Sequence, residues 1–89
     1  MRELYMGSAV IQDDRGHRRS FDYAIVVSPL GEPLQGESYG LRVTERGTGE
    51  TCTVPHITVD VRRIEALCLL VMRGSVTPVT LRDVVEDWL

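Results

Sequence analysis

Hydrophobic residues in the first two-thirds of the chain recur with the two-residue period that is typical of β-strands. The clearest alternation predicts the strongest strand, and its apolar positions are Phe21, Tyr23, Ile25 and Val27. The earlier segment 4–12 has a mixed pattern, which predicts a strand with both faces partly covered. On one side of that segment lie Leu4, Met6 and Val10, and on the other lie Tyr5, Ala9 and Ile11. The polar residues 13–19 between the two segments predict a hairpin connection.

Two further strands are predicted after a break in the pattern. Residues 28–37 contain two prolines and two glycines, and these residue types interrupt regular structure, so the segment is predicted to be a long loop. Alternation returns over residues 39–44. The glycine-containing run 46–50 then predicts a turn into a strand that begins at Thr51.

From Asp60 onward the hydrophobic period changes to that of an α-helix. The apolar stripe of the first helix is formed by Val61, Ile64, Leu67, Cys68, Val71 and Met72. Asp60 is its predicted N-cap and Gly74 its predicted C′ residue. A shorter second helix is predicted after Thr80 as N-cap, with Asp83 at N3. Its apolar positions are Leu81, Val84, Val85 and Trp88.

These elements predict one α+β domain over residues 1–89. It has about four antiparallel strands in two hairpins, followed by two helices that pack on one face of the sheet. Apolar residues make up 43% of this short chain, which is more than a monomer of its size easily buries. Leu69 and Leu70 widen the stripe of the first helix, so another chain is expected to cover part of it. A homodimer is the simplest solution, and Trp88 either completes the core or anchors the partner.

The charge and the cysteines limit the classes of partner and compartment. A net charge of −3 and a mildly acidic pI do not favour nucleic acid binding. Two cysteines are too few for a disulfide framework and indicate a reducing compartment. The first residues include an acidic one, Glu3, and no apolar run approaches the length of a membrane span. The sequence therefore predicts a cytoplasmic protein that does not insert into a membrane.

Only weak candidates for chemistry are present. Cys52 and His56 could form a nucleophile and base or half of a metal site, but four residues of strand separate them by roughly 13 Å. Arg62 and Arg63, with His56, could bind an anion at the start of the first helix. The alternative is that each arginine pairs with a nearby carboxylate, Arg63 with Asp60 and Arg62 with Glu65. No catalytic set, metal site or cofactor motif is complete.

The run Glu37–Val43, the hairpin after it and the final segment Val84–Trp88 resemble a family of short uncharacterised Firmicute proteins grouped as a domain of unknown function. The resemblance covers about the C-terminal 50 residues. It implies a bacterial cytoplasmic protein with no assigned activity and transfers no catalytic residue. The sequence thus favours a non-enzymatic interaction or regulatory module that acts as a homodimer or with another protein. The alternative is a small domain that binds an anionic ligand.

Overall fold

The computed structural model describes residues 1–33 and 35–89. Its elements are β1 (Arg2–Gln12), β2 (Arg18–Pro29), β3 (Glu37–Glu45), β4 (Thr51–Thr58), α1 (Val61–Arg73) and α2 (Leu81–Trp88). The four strands form one sheet in the order β1-β2-β3-β4, and each neighbouring pair is antiparallel. The α+β class and the succession of strands and helices are confirmed. Strands β1 and β4 are the two edges of the sheet.

The connection between β2 and β3 is shorter than the predicted loop over residues 28–37. Ser28 pairs with Ser38 and Pro29 pairs with Glu37, so the ladder continues into both ends of the predicted loop. Pro29 is tolerated because β1 begins at Arg2, opposite Val27, and among the described residues no strand lies beside Pro29 on that side. The remaining connection is residues 30–36, of which Leu34 lies outside the described residues.

Strand β1 contains a bulge that changes which of its side chains share a face. Tyr5 is opposite Ala24 and Gly7 is opposite Tyr23, so Met6 is an extra residue in the ladder. After the bulge, Ala9 is opposite Phe21 and Val10 is opposite Ser20. The prediction that Leu4 and Val10 share a side is therefore wrong: Leu4 lies with Ala9, and Val10 lies with Tyr5.

Both helices pack on one face of the sheet, which we call the helix face; the other is the open face. The buried cluster between sheet and helices contains Phe21, Tyr23, Ile25, Val27, Leu41, Val43, Ile64, Leu67, Cys68, Val71, Leu81 and Val85. The four alternating residues from which the sequence predicted the strongest strand, those of β2, all lie in this cluster. The Tyr23 hydroxyl donates to the Val76 carbonyl at 2.9 Å, which ties the sheet to the segment between the helices.

The helix ends differ in part from the prediction. Asp60 is the N-cap of α1, and its carboxylate accepts from the backbone amides of Arg62 and Arg63. Gly74 has right-handed φ and ψ, and the residue with positive φ is Ser75, one position later. Thr80 occupies the N-cap position of α2, but its hydroxyl contacts Thr77 and makes no capping bond. The predicted N-cap position of Thr80 is therefore confirmed, although its side chain does not cap the helix.

Candidate functional site

The predicted anion site at the start of α1 is already occupied by a carboxylate of the chain itself. Asp60 Oδ1 lies 2.9 Å from the Arg62 amide nitrogen and 3.4 Å from that of Arg63. The Arg63 guanidinium carbon lies 4.5 Å from the ring centroid of Trp88, a cation–π geometry. Within residues 1–33 and 35–89, neither arginine forms the side-chain ion pair with Asp60 or Glu65 that the sequence offered as an alternative.

The contact between Arg63 and Trp88 joins the ends of the two helices. Arg63 is in the first turn of α1 and Trp88 is the last residue of α2, so the end of α2 lies beside the start of α1. Trp88 is half-buried and packs against the core. It therefore contributes to the core and still presents part of its ring to the surface.

The cysteines and His56 do not form a cluster in the described part of the chain. Cys68 is fully buried, and burial raises the pKa of its thiol to about 11. Cys52 is half-buried on the helix face, opposite Val43. His56 is exposed with a φ of 55° in an irregular part of β4. In the residues that the structure describes, no group of three or more potential metal ligands lies together, and no pocket is found.

Exposed apolar residues occur on α1 and along β1. On α1, Leu69 is 44% exposed and Leu70 is 57% exposed. On β1, Leu4 is 46%, Tyr5 62% and Val10 59% exposed. Water therefore contacts apolar side chains on both faces of the same edge strand.

Leu4 and Leu69 lie on the same side of the molecule. A side chain at Gly7 would meet Met72, which places that face of α1 above β1. Leu69 is three residues before Met72 and shares its side of the helix. Leu4 is on the helix face of β1, opposite the core residue Ile25. The seam between β1 and α1 is thus flanked by exposed leucines.

The backbone of β1 presents free hydrogen-bonding groups to solvent. The Ser20 carbonyl accepts from the Arg46 amide at 2.8 Å, so the backbone groups of Ser20 point toward β3. Val10, its partner in β1, must therefore direct its own N–H and C=O away from β2. The two-residue alternation gives the same direction to the other residues opposite even-numbered positions of β2, which are Glu3, Tyr5, Ser8 and Gln12. We call this row the β1 edge.

The opposite edge of the sheet is less open to pairing. Pro55 in β4 has no amide N–H, and the next residue, His56, departs from the extended conformation. Three residues, 55–57, lie opposite the single residue Gly40 of β3, so β4 is bent there. The β1 edge has no proline over its 11 residues. Of the two edges, β1 offers the longer row of free donors and acceptors.

Side-chain contacts hold the first residues of β1 in the sheet. Arg42 lies across the open face, where it pairs with Glu3 and donates from Nε to Thr53 Oγ1 at 2.8 Å. Arg2 pairs with Glu37 at 2.9 Å. These contacts fix the start of an edge strand, a region that otherwise frays. The β1 edge is therefore held in place by contacts within the chain itself.

The sequence patterns did not identify the β1 edge as a site. The edge position of β1 depends on the strand order, and the mixed pattern of segment 4–12 concealed the bulge. The exposed leucines of α1, in contrast, were identified from their helical positions.

Comparison with known proteins places this chain in a family. The model of the Family of unknown function (DUF6514) matches residues 2–89. The chain belongs to this family. The match extends over nearly the whole chain, and the expectation that the resemblance is confined to the C-terminal 50 residues is wrong.

Two further comparisons gave no relatives. No curated protein matched the chain. No solved structure matched it either. In the described residues, neither helix has the length and the apolar run that crossing a membrane requires.

Proposed function

We propose that this member of the DUF6514 family is a non-enzymatic interaction or regulatory module that acts as a homodimer. The observation that carries this proposal is the exposure of apolar side chains on α1 and β1, named above. Burial of apolar surface is favourable by about 25 cal/mol per Å². A symmetric dimer gains this energy from the same surface on both copies. A bacterial, cytoplasmic setting stays a prediction from the sequence.

The anionic-ligand alternative has less support from the geometry. A ligand at the start of α1 would have to displace the Asp60 carboxylate from the amides of Arg62 and Arg63. It would also compete with the Trp88 ring for the Arg63 guanidinium. His56 adds no hydrogen bond to either arginine in the described chain. We therefore favour the interaction module.

The test is the molar mass in solution across a dilution series, measured by light scattering after size-exclusion chromatography. The proposal expects twice the monomer mass at high protein concentration and a fall toward the monomer on dilution. A monomer at every concentration, including those near the solubility limit, would contradict it. Addition of inorganic phosphate in a parallel series, with the melting temperature as readout, tests the anionic-ligand alternative.

A further inference from the structure

We infer that the second copy docks along the β1 edge, so that two four-stranded sheets join into one sheet of eight strands. The two β1 strands would run antiparallel about a two-fold axis at Ser8. This inference rests on the proposed homodimer and adds the surface that forms it. Strand addition of this kind uses backbone hydrogen bonds for affinity and side chains for register.

The bulge in β1 restricts the register of such a pairing. Residues directly opposite in an antiparallel pair lie on the same face. Before the bulge the open-face residues of β1 are Glu3 and Tyr5, and after it they are Ser8, Val10 and Gln12. When the segment before the bulge pairs with the segment after it, Glu3 and Tyr5 of one copy must therefore lie opposite even-numbered residues, such as Val10 and Gln12, of the other copy.

One register satisfies this rule and also places apolar residues against each other. Tyr5 lies opposite Val10 of the second copy, and Leu4 lies opposite its Ile11. Ser8 lies opposite Ser8 on the axis. Between these pairs, Met6 and Gly7 together face the single residue Ala9 of the second copy. The bulge has the same geometry toward β2, where β1 also has one more residue than its partner strand at this point.

Charge and hydrogen bonding support the same register. Just beyond each end of the paired segment, Arg2 comes next to Asp13 of the second copy, so opposite charges lie close together twice while Arg2 keeps its pair with Glu37 and Asp13 its bonds to the amides of Arg15 and His17. The row with outward backbone groups, defined above as the β1 edge, pairs with itself: Glu3 meets Gln12, Tyr5 meets Val10, and Ser8 meets Ser8. A register shifted by two residues would place Tyr5 opposite Ser8 and Val10 opposite Glu3, which loses the apolar pairs. This self-complementarity is why a second copy fits better than an unrelated strand.

The first test is Val10→Pro, because the Val10 amide points away from β2 and forms no ladder bond within the described part of the chain. Proline removes this donor in both copies and places a ring at the edge, so we expect the dissociation constant of the dimer to rise roughly 100-fold. Circular dichroism checks that the variant folds. If it does not fold, Val10→Lys takes its place, because lysine keeps the amide and replaces the apolar contact with Tyr5.

The matched control is Leu70→Lys, which changes an exposed apolar residue of α1 that lies away from β1. The inference expects this variant to dimerise like the wild type. A dimer that survives Val10→Pro and Val10→Lys but is lost in Leu70→Lys would overturn the β1 interface and leave the proposed homodimer standing. A wild type that is monomeric at all concentrations would overturn both.

A cysteine at the axis tests the register directly. Ser8 faces Ser8 as a hydrogen-bonded pair, for which the Cα separation is about 5.5 Å, within the range of disulfides. Ser8→Cys is expected to form a disulfide-linked dimer on mild oxidation. Val10→Cys should not form this disulfide. Val10 faces Tyr5 of the second copy, and the two Val10 residues lie several residues apart along the paired strands. Wild type oxidised in parallel gives the background from Cys52 and Cys68, and cross-linking of Val10→Cys but not Ser8→Cys would overturn the axis at Ser8.

Discussion

Replacement of Gly40 by alanine should strongly destabilise the protein, because the backbone of β4 lies directly on this residue. A Cβ atom at Gly40 would overlap the Val54 carbonyl oxygen and would lie 2.6 Å from the Pro55 Cα atom. Both obstacles are backbone atoms, so no change of side-chain rotamer relieves the overlap. The cause is the bend of β4, where residues 55–57 lie opposite this single residue.

The size of the effect follows from the required movement. A relaxed carbon–carbon contact needs roughly 3.5–4.0 Å, so β4 must move by about 1 Å at Pro55. Such a shift lengthens the ladder hydrogen bonds beside Gly40. Forced overpacking of this kind usually costs about 1–3 kcal/mol, and the rigid neighbours place Gly40→Ala at the upper end, about 3 kcal/mol. For a chain of 89 residues, total stability is roughly 4–13 kcal/mol, so the loss is large.

Urea unfolding followed by circular dichroism and by the fluorescence of Trp88 measures this loss. Gly31→Ala is the matched control, because no atom of the described residues lies within 4 Å of a Cβ at Gly31. It should change the free energy of unfolding by less than about 0.5 kcal/mol. The reasoning would be refuted if Gly40→Ala lowered the free energy of unfolding by less than about 1 kcal/mol, or no more than Gly31→Ala.

Three further predictions concern a helix end, an ion pair and the thiols. Ser75→Gly should raise the free energy of unfolding, measured by urea titration, by about 0.5–1 kcal/mol. Ser75 has a φ of 49° after α1, and glycine adopts this conformation without strain. An unchanged or lower free energy of unfolding would contradict this. Hydrogen bonds from Arg19 lower the pKa of Glu45, so the pair stabilises the fold at neutral pH, and this contribution disappears as the pH falls below about 4.5 through the folded pKa. Melting temperatures of Glu45→Gln should therefore fall less between pH 7 and pH 3 than those of the wild type, and parallel curves would refute the assignment. At pH 8, iodoacetamide should modify Cys52 before Cys68, whose buried thiol has its pKa raised to about 11. Mass spectrometry after digestion distinguishes the two sites, and faster labelling of Cys68 would contradict the prediction.

Local patterns predicted the elements because they depend on neighbours in the chain. The alternation of Phe21 to Val27 required a strand with one buried face, and the helical stripe that contains Ile64 and Leu67 required a helix against that face. Asp60 was identifiable as an N-cap because its carboxylate binds amides only two and three residues away.

Interruptions in regular structure were harder to predict. The bulge at Met6 is the reason why the hydrophobic residues of β1 do not alternate regularly in the sequence. One extra residue reverses the face on which every later residue of the strand lies. The prolines of residues 28–37 suggested a longer loop, because whether Pro29 ends a strand depends on whether another strand lies beside it. Positive φ occurs at Ser75 and not at Gly74. Which of the two residues adopts it depends on where the last turn of α1 ends, and this turn is closed by a hydrogen bond from the Val76 amide to the Val71 carbonyl.

The sequence alone determined the α+β class, the four strands, the two helices and most of the core, because hydrophobic period and capping are local properties. Only the tertiary structure decided that β1 and β4 are the sheet edges, that Pro55 interrupts one of them, and that the backbone groups of Val10 point into solvent. It also decided that Trp88 contacts Arg63, one of the residues predicted to bind an anion. These features depend on which distant segments lie side by side. The hydrophobic period of one segment shows which of its faces is buried, but it does not show which other segment covers that face.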